Sequence, residues 1–152
     1  MTIAILEDNE LRVQAMRAGM ADSLPDTPFV FFNSAHAIIE WLEGNLELVS
    51  LISLDHDLEF LLGPDGQLID PGDGRDVARF LATQKPCCRL IVHTSNAMAG
   101  SSMMLTLQDA GWQVERVLPE GDLAWVSQRW MPAVLRLLGE EGSSRTGEMP
   151  NR

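Results

Sequence analysis

Three short apolar runs in this chain each end in groups that bind cations or move protons. Thr2-Ile3-Ala4-Ile5-Leu6 runs into Glu7-Asp8-Asn9, Leu51-Ile52-Ser53-Leu54 into Asp55-His56-Asp57, and Leu90-Ile91-Val92 into His93-Thr94-Ser95-Asn96. Charges inside a sheet are costly unless paired, so strands that end this way deliver their ionisable groups to a cleft at the rim. Glu7, Asp8 and Asp55 would set three carboxylates on neighbouring strand ends, where they repel and raise one another's pKa values. A hard divalent cation, Mg2+ or Mn2+, relieves that conflict through oxygen ligands. The competing reading has Asp8 or its neighbour Asn9 capping the next helix and the other acids solvated.

His56 lies between Asp55 and Asp57, and a carboxylate partner such as Asp57 can fix its tautomer and poise it for proton transfer. His93 closes the adjacent run, so the two histidines are candidates for an acid and base pair around one phosphate; each also reads as a satisfied polar residue at a strand end. Thr94, Ser95 and Asn96 offer donors at a helix start, a position that binds phosphate and equally a plain N-cap. His36 follows a cap and is expected at the surface. Asp65, Asp70, Asp73 and Asp76 do not continue into a calcium-loop series, and neither GxxxxGK[ST] nor GxSxG occurs.

The elements that must position these groups follow from spacing and punctuation. Glu10 to Ala21 has helical spacing with Leu11, Met16 and Met20 on one face. Phe29 to Phe32 reads as a strand, and Asn33 or Ser34 then caps a helix to about Glu43. Glu59 to Arg75 is rich in Gly and Pro and reads as a long loop. Asp76 to Gln84 reads as a helix, as does the Met-rich stretch Ala97 to Ala110, whose methionines are expected to fill core. Trp112 to Leu118 suits an edge strand. Asp122 caps a last segment to about Leu138, with a kink or two abutting helices at Pro132 and with Trp125 and Trp130 packed. Strands alternating with helices require a largely parallel sheet. The expected fold is α/β: a three-layer, doubly wound, five-stranded flavodoxin-like sheet of order 2-1-3-4-5, whose switch point lies between strands 1 and 3. Residues 1–139 form one domain and 140–152 a flexible tail.

The chain has 152 residues, 45% of them hydrophobic, enough for one sizeable core. Its net charge of -11 disfavours extended nucleic acid and anionic membrane. The adjacent Cys87 and Cys88 make neither an easy disulfide nor a good zinc site. No signal peptide is evident and no run reaches the ~18 apolar residues needed to span a bilayer. The expectation is a cytoplasmic protein.

Glu7-Asp8, Asp55 and Thr94 fall where receiver domains of two-component signalling keep their metal-binding acids, phosphoacceptor aspartate and hydroxyl residue. Leu118-Pro119 stands where receivers carry Lys-Pro. Leu6-Glu7-Asp8-Asn9, Leu54-Asp55-His56-Asp57-Leu58, Gly74-Arg75-Asp76-Val77-Ala78 and His93-Thr94-Ser95-Asn96 together resemble the cyclic-phosphate-processing receiver-like group. The resemblance covers about residues 1 to 138. It implies the receiver fold and a metal-dependent phosphoesterase acting on a 2',3'-cyclic phosphate end or a cyclic nucleotide. In that reading Glu7, Asp8 and Asp55 hold Mg2+ or Mn2+, His56, His93 and Asp57 serve catalysis, and Thr94, Ser95 and Asn96 grip phosphate. The alternatives are a non-catalytic module, engaging a partner or second copy through helix 4, strand 5 and helix 5, and an atypical phosphoacceptor using Asp55.

Overall fold

A computed structural model describes the backbone of residues 1–146 and the side chains through residue 139. Strand and helix alternate: β1 (Thr2–Leu6), α1 (Glu10–Ser23), β2 (Phe29–Phe32), α2 (Ala35–Asn45), β3 (Val49–Leu54), the two-residue strands β4 (Leu61–Leu62) and β5 (Leu68–Ile69), α3 (Gly74–Ala82), β6 (Arg89–Val92), α4 (Ala97–Asp109), β7 (Val114–Arg116) and α5 (Met131–Thr146). β2-β1-β3-β6-β7 form one parallel sheet in that order. Counting only the strands of that sheet, this is the expected 2-1-3-4-5 arrangement.

Position in the sheet follows from composition. All six residues of β3 are buried, as a central parallel strand requires. β2 and β7 are half-buried and lie at the edges. Successive side chains alternate between the faces. Ile3, Ile5, Leu51 and Ile91 pack with Met16 and Met20 of α1 and Val134 of α5. Ala4, Leu6, Ile52, Leu54, Leu90 and Val92 pack with Ile38 of α2, Leu81 of α3 and Leu107 of α4.

Several local expectations need correction. Leu11 is exposed, because the apolar face of α1 is carried by Met16 and Met20. Met98 and Leu105 are also exposed, and only part of the Met-rich helix fills core, through Met103 and Leu107. The long loop contains the small antiparallel hairpin β4-β5, turned at Gly66 with a positive φ. α3 begins at Gly74, two residues earlier than expected, because Asp73 and Asp76 form a reciprocal capping box. Near Pro132 the second of the two expected arrangements holds, two abutting helical stretches: a π-helical turn over Val126–Trp130 runs directly into α5, with Met131 N–H bonded to the Val126 carbonyl. The longer ring absorbs the register change around a residue that lacks an N–H. The backbone stays helical to Thr146, beyond the expected end near Leu138; the rest of the expected tail, 147–152, lies outside the described residues. Among the described residues no helix is long and apolar enough to cross a membrane.

Gly74 brings α3 against the end of β3. Its N–H donates to the His56 carbonyl at 3.1 Å. A Cβ there would overlap the Asp55 carbonyl oxygen and come within 2.9 Å of His56 Cα, both backbone atoms that cannot step aside. Gly74→Ala is therefore expected to destabilise by about 2 kcal/mol or more, read as a lower urea midpoint and a fall of several degrees in Tm.

Candidate functional site

The alternation that builds the two cores continues one step past the strand ends. Glu7 follows Ile3 and Ile5, Asp55 follows Leu51 and Ser53, and His93 follows Ile91, so all three lie on the face covered by α1 and α5. They are buried, and one ligand atom from each falls within 4.8 Å of the others.

Each member is held by specific bonds. Glu7 Oε2 accepts from the backbone N–H groups of Asp8 at 3.0 Å and Asn9 at 3.1 Å. Glu7 Oε1 has no hydrogen bond; it faces His93 Nε2 at 3.4 Å and Arg12 Nη1 at 3.5 Å. Asp55 Oδ1 accepts from His56 N–H at 2.7 Å, while Oδ2 faces Arg12 at 3.8 Å. Behind the histidine runs a buried chain. Trp130 Nε1–H donates to Ser53 Oγ at 2.9 Å, and Ser53 Oγ lies 2.7 Å from His93 Nδ1. Where the Ser53 hydroxyl donates to His93 Nδ1, the neutral imidazole carries its proton on Nε2, aimed at the acids. Trp125 stacks on the His93 ring with centroids 6.0 Å apart, and Arg12 lies over Trp125 at 5.4 Å.

Burial pushes Asp55 up to about 6, helped by the charge of Glu7 and opposed by His93, the His56 N–H and Arg12. Burial also pushes Glu7 up, but His93, the Asn9 N–H and Arg12 outweigh it and hold its carboxyl below the usual range. Asp8 is raised by burial and by its proximity to Glu7.

The remaining expected residues lie elsewhere, for the same geometric reason. Asp8 and His56 follow Leu6 and Leu54 onto the opposite face. Asp8 Oδ2 accepts from the Glu59 N–H, so the expected third carboxylate is tied to the loop after β3. His56 Nδ1 is 2.9 Å from Asp57 and Nε2 is 3.5 Å from Asp73; its ring engages these loop acids and not the trio. Thr94 is buried and its Oγ1 accepts from Asn96 N–H; Asn96 Oδ1 caps α4 through Ala99 N–H; Ser95 is exposed. These bonds shape a turn, consistent with the N-cap reading. His36 is exposed.

Sequence reasoning missed Arg12, Ser53, Trp125 and Trp130 as parts of this site. For Arg12 a signal existed: a basic residue in the first turn of a helix opposes the helix dipole.

The sequence matches the model of the cyclic-phosphate processing receiver domain over residues 4–109. The chain belongs to that family. Solved receivers share the fold of this cyclic-phosphate processing receiver. A signal receiver domain assigned to a Luxo repressor protein of Vibrio parahaemolyticus is 14% identical with a TM-score of 0.68, covering 97% of each chain. The phosphorylated cyanobacterial phytochrome response regulator RcpA is 17% identical with a TM-score of 0.67, covering 90% of this chain and 93% of that one. The Mn2+-bound response regulator Rcp1 is 15% identical with a TM-score of 0.60, covering 86% and 94%. No curated protein matches the sequence.

A divalent cation fits the donor set in part. Glu7 Oε1, buried and unbonded, and Asp55 offer hard oxygens within 4.8 Å of one another. His93 Nε2, 3.4 Å from Glu7 Oε1, completes the set when unprotonated and donates to those oxygens when it carries the proton.

The raised Asp55 pKa fixes a pH dependence. Below the ordinary value of 3.8 the carboxyl is protonated folded and unfolded alike, and its burial costs little. As pH rises through about 6 the native group must ionise against burial, and stability falls. Asp55→Asn removes this cost. Relative to the parent it should gain on the order of 2 kcal/mol between about pH 4 and pH 7.5, measured by urea unfolding without divalent cations at both values.

Proposed function

We propose that this receiver is a metal-dependent phosphoesterase for small cyclic phosphates, acting at Glu7, Asp55 and His93. The observation that carries the reading is the unsatisfied pair at its centre: Glu7 Oε1 and His93 Nε2 are both buried without a hydrogen-bond partner. Buried polar atoms left open in a native site are what a ligand or ion completes.

In this reading Glu7 and Asp55 hold Mg2+ or Mn2+, and the ion, when bound, polarises the phosphate and lowers the pKa of water. Asp8 supports the site through the Glu59 backbone instead of supplying a third carboxylate. Protonated His93 would give its Nε2 proton to the ring oxygen that leaves as water adds to phosphorus and the cyclic P–O bond breaks, and the proton lost by the attacking water returns to the imidazole. Ser53 and Trp130 anchor the far side of the imidazole. His56 and Asp57, on the other face, act at most as rim residues, and Thr94, Ser95 and Asn96 form the turn that closes one side. A groove lined by Glu7, Asp8, Arg17, Phe31 and Asn33 opens on the Glu7 side of the site and gives room for the organic part of the ligand. The net charge of -11 favours a small phosphate over a long polyanion.

Asp55 supports a second reading. It ends β3 with Oδ2 facing Arg12, which suits an atypical phosphoacceptor whose cation comes from α1. Intact mass after acetyl phosphate and Mg2+ tests this; an unchanged mass rejects it.

Hydrolysis of 2',3'-cyclic and 3',5'-cyclic nucleotides with Mn2+ tests the first reading. His93→Ala should lose about 100-fold or more in rate. His56→Ala should lose less than about tenfold, since parity turns its ring away. Activity equal in all three proteins would defeat the assignment.

A further inference from the structure

Arg12 approaches both buried acids, at 3.5 Å from Glu7 and 3.8 Å from Asp55. Its place follows from local structure. Asn9 caps α1 by accepting from Arg12 N–H at 3.1 Å, which sets Arg12 in the first helical turn. Side chains on a helix lean toward its N-terminus, so the guanidinium reaches back over the end of β1. A positive charge there works against the helix dipole; helix stability does not explain the residue. The contact geometry is loose on every side. Neither carboxylate is within hydrogen-bond reach, and Trp125 offers a ring face 5.4 Å away. The arginine side chain is 26% exposed, while those of Glu7 and Asp55 are 0% and 7% exposed. The guanidinium therefore stands between solvent and the acids.

We infer that Arg12 is an exchangeable counter-ion: it neutralises Glu7 and Asp55 in the empty site, gives way to the divalent cation, and then grips the phosphate oxygens. The inference rests on the metal and phosphate reading above. A planar guanidinium pairs with two oxygens of one phosphate, which suits it better than an ammonium to the second role. The Trp125 face keeps it at the mouth throughout, by cation–π attraction.

The test is calorimetric and needs no turnover. Mn2+ alone, and then inorganic phosphate with saturating Mn2+, are titrated into the full chain and into Arg12→Gln and Arg12→Lys. Arg12→Gln should bind Mn2+ about tenfold or more tightly, because a unit positive charge within 4 Å of the ligands is gone. It should bind phosphate at least about tenfold more weakly. Arg12→Lys keeps the charge without the fork; it should hold Mn2+ within about threefold of the parent and recover phosphate binding only in part. Mn2+ affinity unchanged or weaker in Arg12→Gln would overturn the counter-ion role, and so would absence of Mn2+ binding in every protein. Phosphate affinity equal in parent and Arg12→Gln would overturn the grip. Both expected affinity changes in Arg12→Gln, with a parent that hydrolyses no cyclic phosphate, would uphold the exchange and remove only the esterase reading. A purely structural ion pair would lower the Arg12→Gln Tm and leave both affinities alone.

Discussion

Two carboxylates buried side by side at the end of a parallel sheet are the constraint around which this protein is arranged. Neither Glu7 nor Asp55 can shed its neighbour's field into water, and charge in so dry a place must be answered locally. Backbone N–H groups of Asp8, Asn9 and His56 answer part of it. Arg12 adds to this from the side of solvent, and His93 turns Nε2 inward from the end of β6. The remaining imbalance is the property that a cation and an anionic ligand can use.

The histidine would be of little use if its ring were free to turn. Ser53 and Trp130 anchor its Nδ1 side. Both belong to the packed face below α5, so the chemistry of the rim is set by residues that would otherwise count as core. Replacing Ser53 by an apolar residue of similar size would leave the indole N–H and His93 Nδ1 unpaired in the interior, a loss larger than the hydroxyl's own contribution.

Much of this could be read from the chain. Apolar runs ending in acids and histidine located the strand ends, and the alternation of helices between them gave the order of the sheet. Parity could have been read as well: Glu7, Asp55 and His93 each continue the series Ile3-Ile5, Leu51-Ser53 and Ile91, whereas Asp8 and His56 continue the other series. Convergence of His56 with His93 was expected because both end neighbouring strands; it fails because they end them on opposite faces. What sequence could not supply was contact across elements. Arg12 reaches the acids only because Asn9, and not Asp8, caps α1. Ser53 meets Trp130 across 77 positions of chain, with no local pattern to mark it. The hairpin β4-β5 is short and exposed, so it carries neither a hydrophobic period nor a packing requirement.

The wide turn over Val126–Trp130 has a consequence for how two indoles can serve one imidazole. In a regular α-helix positions five apart point about 140° away from each other, so Trp125 and Trp130 could not both look at the sheet. One wider coil brings them nearly into line, and a single segment then lays one ring flat against His93 while sending the other beneath it to Ser53. The proline that forbids an ordinary helix at 132 thereby sets the spacing of a two-pronged clamp, and the length of that segment is as fixed as the identity of any residue in it.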